Sequence, residues 1–293
     1  MRGGIINKII LGTAQLGLNY GVNNKVGLPS EKEAIGILEL AYELGIRTLD
    51  TAEAYGRSHQ VIGSFHTLNP KSKFRVITKF DAQRFNQIGD LNAQIEQDMD
   101  DLQLEMLEGY LCHNSKDLQL FISQKPLLEE QIKKRTIKKI GLSIYHNEDI
   151  FTVRQHNHLK LIQVPFNLLD NYYQKGTELI DAENFGLEIH ARSVFLQGLF
   201  FMKTNEIPNK LKPLQKYLNQ MSQICSKYRL NIQLMALGYA ISQNFISRII
   251  IGAETKEQLT NNLNATKLAS EVIQEINEIK VEENELLNPA NWK

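Results

Sequence analysis

Four side chains within the first 113 residues could together move a proton: Asp50, Tyr55, Lys79 and His113. Each lies at or just past the end of a short apolar run that reads as a β-strand. A carboxylate can keep a lysine ionised and oriented, and an ammonium can lower the pKa of a nearby phenol from its ordinary value of about 10. An imidazole can hold a substrate oxygen or share its proton. Together these groups suit the delivery of a proton to a carbonyl oxygen. Singly, each has a plainer reading: Asp50 as a turn cap, Lys79 as a solvated strand-end charge, Tyr55 as a loop aromatic, His113 as a satisfied histidine. Their joint placement at successive strand ends favours the chemical reading.

The elements that must position them alternate along the whole chain. Apolar, β-branched runs at 8–12, 46–50, 75–79, 109–113, 137–142, 161–163, 187–192 and 248–251 are separated by longer amphipathic segments. That pattern predicts parallel βα units. In the first helix Ser30 and Glu33 form an S-x-x-E capping box, Ala34, Ile37, Leu38, Ala41 and Leu44 recur at helical spacing, and Gly45 can end it in the left-handed conformation. Further helices are predicted over 57–66, 86–102, 116–134, 147–156, 172–185, 211–243 with a break near 229–231, and 256–268. Eight strands, each followed by helix, predict an α/β fold of the (β/α)8 TIM barrel class in a single domain over residues 1–293. Active sites of such barrels lie at the C-terminal strand ends, so all four residues would face one mouth. A doubly wound sheet shares the alternation but is the weaker reading, because no G-x-G-x-x-G follows any of these strands.

Composition narrows the function. With 33 basic and 33 acidic residues the chain has no net field for phosphate backbones, so nucleic-acid binding is not expected. The two cysteines, Cys112 and Cys225, lack a CxxC spacing and suggest neither a disulfide framework nor a zinc site. A reducing, cytoplasmic compartment fits. The run from Ile5 to Leu11 is too short for a signal or membrane segment, so no membrane partner is expected, and a monomer or weak homo-oligomer is. His156-Asn157-His158 has a metal-ligand spacing, but it precedes a strand and would lie on the face opposite the mouth. No metal is predicted.

Several blocks resemble the aldo-keto reductase family: Leu11-Gly12-Thr13-Ala14-Gln15 at the first strand, Asp50-Thr51-Ala52 and Tyr55-Gly56 in a G-x-x-x-x-D-T-A-x-x-Y-G pattern from Gly45, Ile77-Thr78-Lys79, and Gly109 through His113. The resemblance spans nearly the whole chain. It implies a barrel that binds NADP(H) without a Rossmann fold and reduces an aldehyde or ketone. It also implies that Tyr55 is the general acid, that Lys79 and Asp50 lower its pKa, and that His113 orients the carbonyl. The alternative is a regulatory or low-turnover barrel that binds the same cofactor.

The resemblance places the dinucleotide along Gly12, Thr13, Ser143, Gln163, Arg192, Ser193, Phe195, Leu196, Gln197, Ile251, Gly252, Glu254, Gln258, Asn261 and Asn262. Ser143 and Gln163 match the positions that hold the nicotinamide carboxamide, although the residue after Ser143 is Ile144 where the family usually has Asn. Arg192 replaces a ring-stacking aromatic, so it could stack, bind an anionic substrate group or pair with a nearby carboxylate. Gln258 stands where many relatives carry a basic residue, with Glu254 close by, so NAD(H) stays open beside NADP(H). Leu16, Tyr20, Asn114 and Phe166 are the expected substrate contacts. The resemblance of the stretch from Arg192 to Gly198 to reductases of bacterial sugar metabolism implies a small carbonyl substrate that is polar or anionic and sugar-like.

Overall fold

In a computed structural model that describes residues 5–24 and 26–292, the eight strands close into one barrel in the order β1 to β8. The termini of the predicted 1–293 domain, and residue 25, lie outside the described residues. The strands are β1 Ile9–Gly12, β2 Thr48–Asp50, β3 Arg75–Phe80, β4 Gly109–Cys112, β5 Ile140–Ser143, β6 Leu159–Pro165, β7 Glu188–Arg192 and β8 Arg248–Gly252. Every neighbouring pair is parallel, and β1 pairs with β8 to close the ring.

Because successive side chains on a strand alternate between faces, each strand divides into two sets. Ile10, Ile77, Leu111, Leu161 and Ile250 form a small cluster inside the barrel, while the residues between them, such as Leu11, Val76, Tyr110, Ile162 and Ile249, join the larger layer packed under the helices. The inward set continues upward by steps of two. Asp50, Lys79, Gln163 and Arg192 therefore reach the interior near the C-terminal rim.

The first helix, Glu31–Glu43, starts with the expected capping box: Ser30 N–H donates to Glu33 Oε2 at 2.8 Å, and Glu33 N–H donates to Ser30 Oγ at 3.3 Å. Its buried face is Ala34, Ile37, Leu38 and Ala41, with Gly36 among them, and Gly45 follows at φ +97°. Three other helices differ from their expected extents. The segment 86–102 is split at Gly89, whose φ of +74° ends Ala82–Ile88, and Asp90 then caps Leu91–Leu102. Pro126 lacks an amide proton, so it sits in the first turn of a new helix, Lys125–Lys134, after Leu118–Ser123. The last predicted helix stops at Asn262, because the chain beyond it is drawn against Ile232–Ser242, where Leu268 N–H donates to Ser242 Oγ at 2.8 Å. Ser270–Asn277 is a further helix that the sequence reading did not anticipate.

Candidate active site

Asp50 and Lys79 come from adjacent strands and meet inside the mouth. Lys79 Nζ donates to Asp50 Oδ2 at 2.7 Å and to the Thr51 carbonyl at 2.8 Å. Asp50 Oδ1 accepts from Gln163 Nε2 at 2.5 Å, so both carboxylate oxygens are engaged. The lysine is 1% exposed, and its pKa is lowered by burial and held up against that by Asp50. A buried ammonium of this kind is retained only with a partner, and here the partner is charged and hydrogen-bonded.

Tyr55 lies in the loop after β2, its ring half-buried above this pair, with Lys79 Nζ 5.0 Å from the ring centroid. His113, one residue past β4, meets the Tyr55 ring edge to face at 5.7 Å between centroids. Burial is also the main influence on the phenol: it pushes the Tyr55 pKa up, Asp50 adds to the rise, and Arg192 opposes it. The sequence reading expected Lys79 to lower this pKa. Its charge is instead spent on Asp50, and the phenol is a protonated donor at neutral pH. His113 is driven down to about 3, first by burial and then by the charges of Lys79, Arg192 and Lys116, so its imidazole is neutral.

The Tyr55 loop is fixed by backbone packing. A Cβ on Gly17 would lie 1.8 Å from the Tyr55 carbonyl oxygen, and a Cβ on Gly56, whose φ is +57°, would lie 2.5 Å from the Gly17 carbonyl oxygen. Two glycines are therefore required where the loops after β1 and β2 touch. Below them Thr13 is wholly buried, its hydroxyl donating to the Asp50 carbonyl at 3.0 Å and accepting from Ser58 Oγ at 2.7 Å. Thr13 thus forms part of the wall that holds Asp50.

Two expected substrate contacts lie elsewhere. Leu16 is 1% exposed within the outer core, and Phe166 is wholly buried, stacked on Tyr239 at 5.4 Å and edge-on to Phe245 at 5.7 Å. Both adjoin the mouth in sequence, but their side chains turn into the layer under the helices. Tyr20 and Asn114 do sit at the rim. The Tyr20 hydroxyl accepts from Gln197 Nε2 at 3.2 Å, and burial raises its pKa to about 12. Asn114 Nδ2 donates to Asp117 Oδ2 at 3.4 Å.

On the expected cofactor side, Ser143 ends β5 and Gln163 Oε1 is buried without a hydrogen-bond partner. Gly12 and Gly252 pair at the rim between β1 and β8. The loop after β7 doubles back through positive φ at Ser193, Leu196 and Gln197. It is tied down by Asn167 Nδ2 on the Ser193 carbonyl at 3.2 Å and by Val22 N–H on the Gln197 carbonyl at 3.1 Å. Phe195 packs on Phe201 at 5.4 Å, and Leu196 is fully buried. After β8, Ile251 belongs to the outer core, while Gln258 Oε1 accepts from Glu254 N–H at 2.8 Å and Gln258 Nε2 donates to Glu254 Oε2 at 3.4 Å. Asn262 is buried and donates to the Gly252 carbonyl at 3.4 Å, whereas Asn261 is exposed. Lys256, the first residue of the helix Lys256–Asn262, extends over Gly36 of the first helix.

Three residues at the site escaped the sequence reading. Tyr145 lies under Arg192, whose guanidinium carbon is 4.1 Å from the ring centroid. The signal was present, since Tyr145 continues the inward register of Gly141 and Ser143. Asp170 and Lys175 form a second buried pair at 2.6 Å, and Lys175 Nζ also donates to the Tyr145 carbonyl at 3.0 Å. Nothing local in the sequence marks that pair.

The closed parallel barrel gathers these residues at its C-terminal mouth, where barrels of this class carry their sites, and the comparisons with known proteins give its family. The chain belongs to the aldo/keto reductase family, whose model matches residues 8–281. It is 23% identical over 269 residues to an NADH-specific methylglyoxal reductase of Escherichia coli (strain K12), covering 79% of this chain and 82% of that protein. It is 25% identical over 300 residues to a D-threo-aldose 1-dehydrogenase of a Pseudomonas species, covering 86% and 89%. Among solved structures, the holo form of an aldo-keto reductase from Bacillus halodurans superposes with a TM-score of 0.74 at 18% identity, over 94% of each chain. These relatives are oxidoreductases, and the family uses nicotinamide cofactors.

Proposed function

We propose that this protein reduces the carbonyl group of a small aldehyde or ketone to an alcohol, with a nicotinamide dinucleotide as co-substrate. The observation that carries the reading is the buried Lys79–Asp50 pair beneath a protonated Tyr55 and a neutral His113. The fit to the dinucleotide rests on Gln163. Asp50 fixes its amide nitrogen, which leaves a buried, unpartnered Oε1 as an acceptor for a carboxamide N–H, beside Ser143 on the neighbouring strand.

When bound, the reduced nicotinamide supplies the hydride. The chain's own residues manage the proton. Tyr55 donates it to the substrate oxygen, and its raised pKa keeps it in the donor form across the neutral range. His113 directs a neutral imidazole at the same oxygen and orients it. Lys79 and Asp50 hold a fixed dipole under the phenol and limit the rearrangement needed as charge develops. The loops after β7 and β8 line the remaining rim for the dinucleotide, which the family resemblance gives as NADP(H). The E. coli relative is NADH-specific by its name, so parallel fluorescence titrations with NADPH and NADH form part of the test, and a clear preference for NADH would overturn NADP(H) for this chain.

Steady-state oxidation of the reduced dinucleotide against a carbonyl panel tests the reaction itself. The wild type should turn over at least one carbonyl about 100- to 10,000-fold faster than Tyr55→Phe does. Equal rates would leave the regulatory, low-turnover reading in its place.

A further inference from the structure

Three carboxylates of the barrel interior are matched with cations: Asp50 with Lys79, Asp170 with Lys175, and Glu188 with Lys139 and His190. Arg192 is different. Among the described residues no carboxylate lies within ion-pair distance of its guanidinium, which removes the carboxylate-pairing reading of this residue.

What holds Arg192 is neutral. Nη2 donates to the Ile144 carbonyl at 3.0 Å, Nη1 to Ser193 Oγ at 3.4 Å, and Tyr145 covers one face, while Nε is buried with no hydrogen-bond partner. The guanidinium is thus immobilised at the end of β7, partly desolvated, with donor capacity unspent. Leaving such a cation uncompensated is costly, and a bound anion relieves the cost. Its location narrows the source of that anion. Arg192 ends β7 on the inward face at the C-terminal rim and packs on Tyr145 after β5, which sets it in the same mouth as Lys79, Tyr55 and His113.

From this we infer that Arg192 is a specificity-determining residue which binds an anionic group, carboxylate or phosphate, carried by the carbonyl substrate itself. A planar guanidinium with free N–H groups suits the planar geometry of a carboxylate. Ile144 serves this role through its backbone, because its carbonyl anchors Nη2. The inference rests on the carbonyl-reductase reading and narrows its substrate class to anionic carbonyl compounds.

The test compares 4-formylbenzoate with its neutral counterpart 4-formylbenzamide, and, in calorimetry, the unreactive pair benzoate and benzamide. Wild type should favour the carboxylate about 10- to 100-fold in kcat/KM and should bind benzoate over benzamide. In Arg192→Met that ratio should fall to near one, and Arg192→Lys should restore part of it; thermal melting of each variant confirms that it is folded. Equal use of both aldehydes by wild type overturns the inference, as does a ratio that survives in Arg192→Met. So does a loss of ADP-ribose and pyrophosphate binding in Arg192→Met with no change in benzoate binding, which would assign the guanidinium to the dinucleotide's phosphates. If no carbonyl is reduced at all, the reductase reading fails, and with it a substrate inference built on turnover, whatever calorimetry gives.

Discussion

The two ends of the barrel use the same kinds of side chain to different effect. At the floor, Glu188 accepts from His190 Nε2 at 2.8 Å and pairs with Lys139, Lys138 reaches Glu108 at 3.1 Å, and Arg248 donates to the Asn7 carbonyl at 2.9 Å. The space enclosed among Ile10, Ile77, Leu161 and these groups is about 10 Å³, the lower limit for a single water. At the mouth, the Lys79–Asp50 pair is equally tight, yet Gln163 Oε1 and Arg192 Nε remain unpartnered. The floor leaves His190 Nδ1 without a partner too, but its carboxylates hold their cations and the space beside them is too small for a ligand, so it contributes stability. The unpartnered groups of the mouth adjoin the Lys79–Asp50 pair, where an acceptor and a donor can serve binding.

The sharpest way to break this contrast is at Lys79. Lys79→Met should lower kcat by at least about 100-fold with little loss of dinucleotide affinity, measured by steady-state rates and fluorescence titration. It should also destabilise the fold by about 3–5 kcal/mol in denaturant melts, since Asp50 would be left as a buried carboxylate without its cation. Unchanged turnover at neutral pH would remove Lys79 from the proton machinery.

A smaller effect is expected at the floor. Glu188→Gln should cost about 1–3 kcal/mol in the same melts, because the charge facing Lys139 is removed and only one of the two acceptor oxygens is kept, while kcat/KM stays at the wild-type value. A drop in activity would show that floor and mouth are coupled.

Acid titration separates the ends by pH window. His113 has its folded pKa pushed from 6.5 down to about 3, so the unfolded chain takes up that proton first and stability falls as pH drops from 6.5 toward 3. Glu188 has its folded pKa lowered from 4.5 to about 2 by hydrogen bonds from His190 and Lys139, so its contribution is present above 4.5 and is lost only as pH falls from there toward 2. His113→Gln should therefore flatten the stability curve starting from the neutral side, and Glu188→Gln only at its acid end. His59, also pushed down to about 3 by burial, adds the same slope as His113, so the comparison is with wild type and not with a flat line. The smallest effect belongs to the exposed Lys134–Glu130 pair, where Glu130→Gln should leave the melting temperature unmoved.

Much of this was legible in the sequence because both signals are periodic. Alternation along the strands puts Asp50, Lys79 and Gln163 on one face, and the repetition of strand and helix puts that face inside a barrel. Tyr145 could have been found by extending the same register two residues past Ser143. Leu16 and Phe166 were misplaced because closeness in sequence to a strand end does not fix where a loop side chain turns; each found apolar neighbours in the outer layer. The isolation of Arg192 could not be read at all. It depends on which carboxylates the fold leaves free, and the buried Asp50 and Asp170 are bound to Lys79 and Lys175.

The contact between Gly17 and Gly56 bears on how substrate scope can be altered. With no room for even a methyl group between them, the segment after β1 and the segment carrying Tyr55 must keep one mutual placement. For anyone exchanging loops between relatives to reshape the pocket, these two stretches form a single transplantable unit. Grafting either alone would set a foreign backbone against the one residue whose aim the chemistry cannot spare.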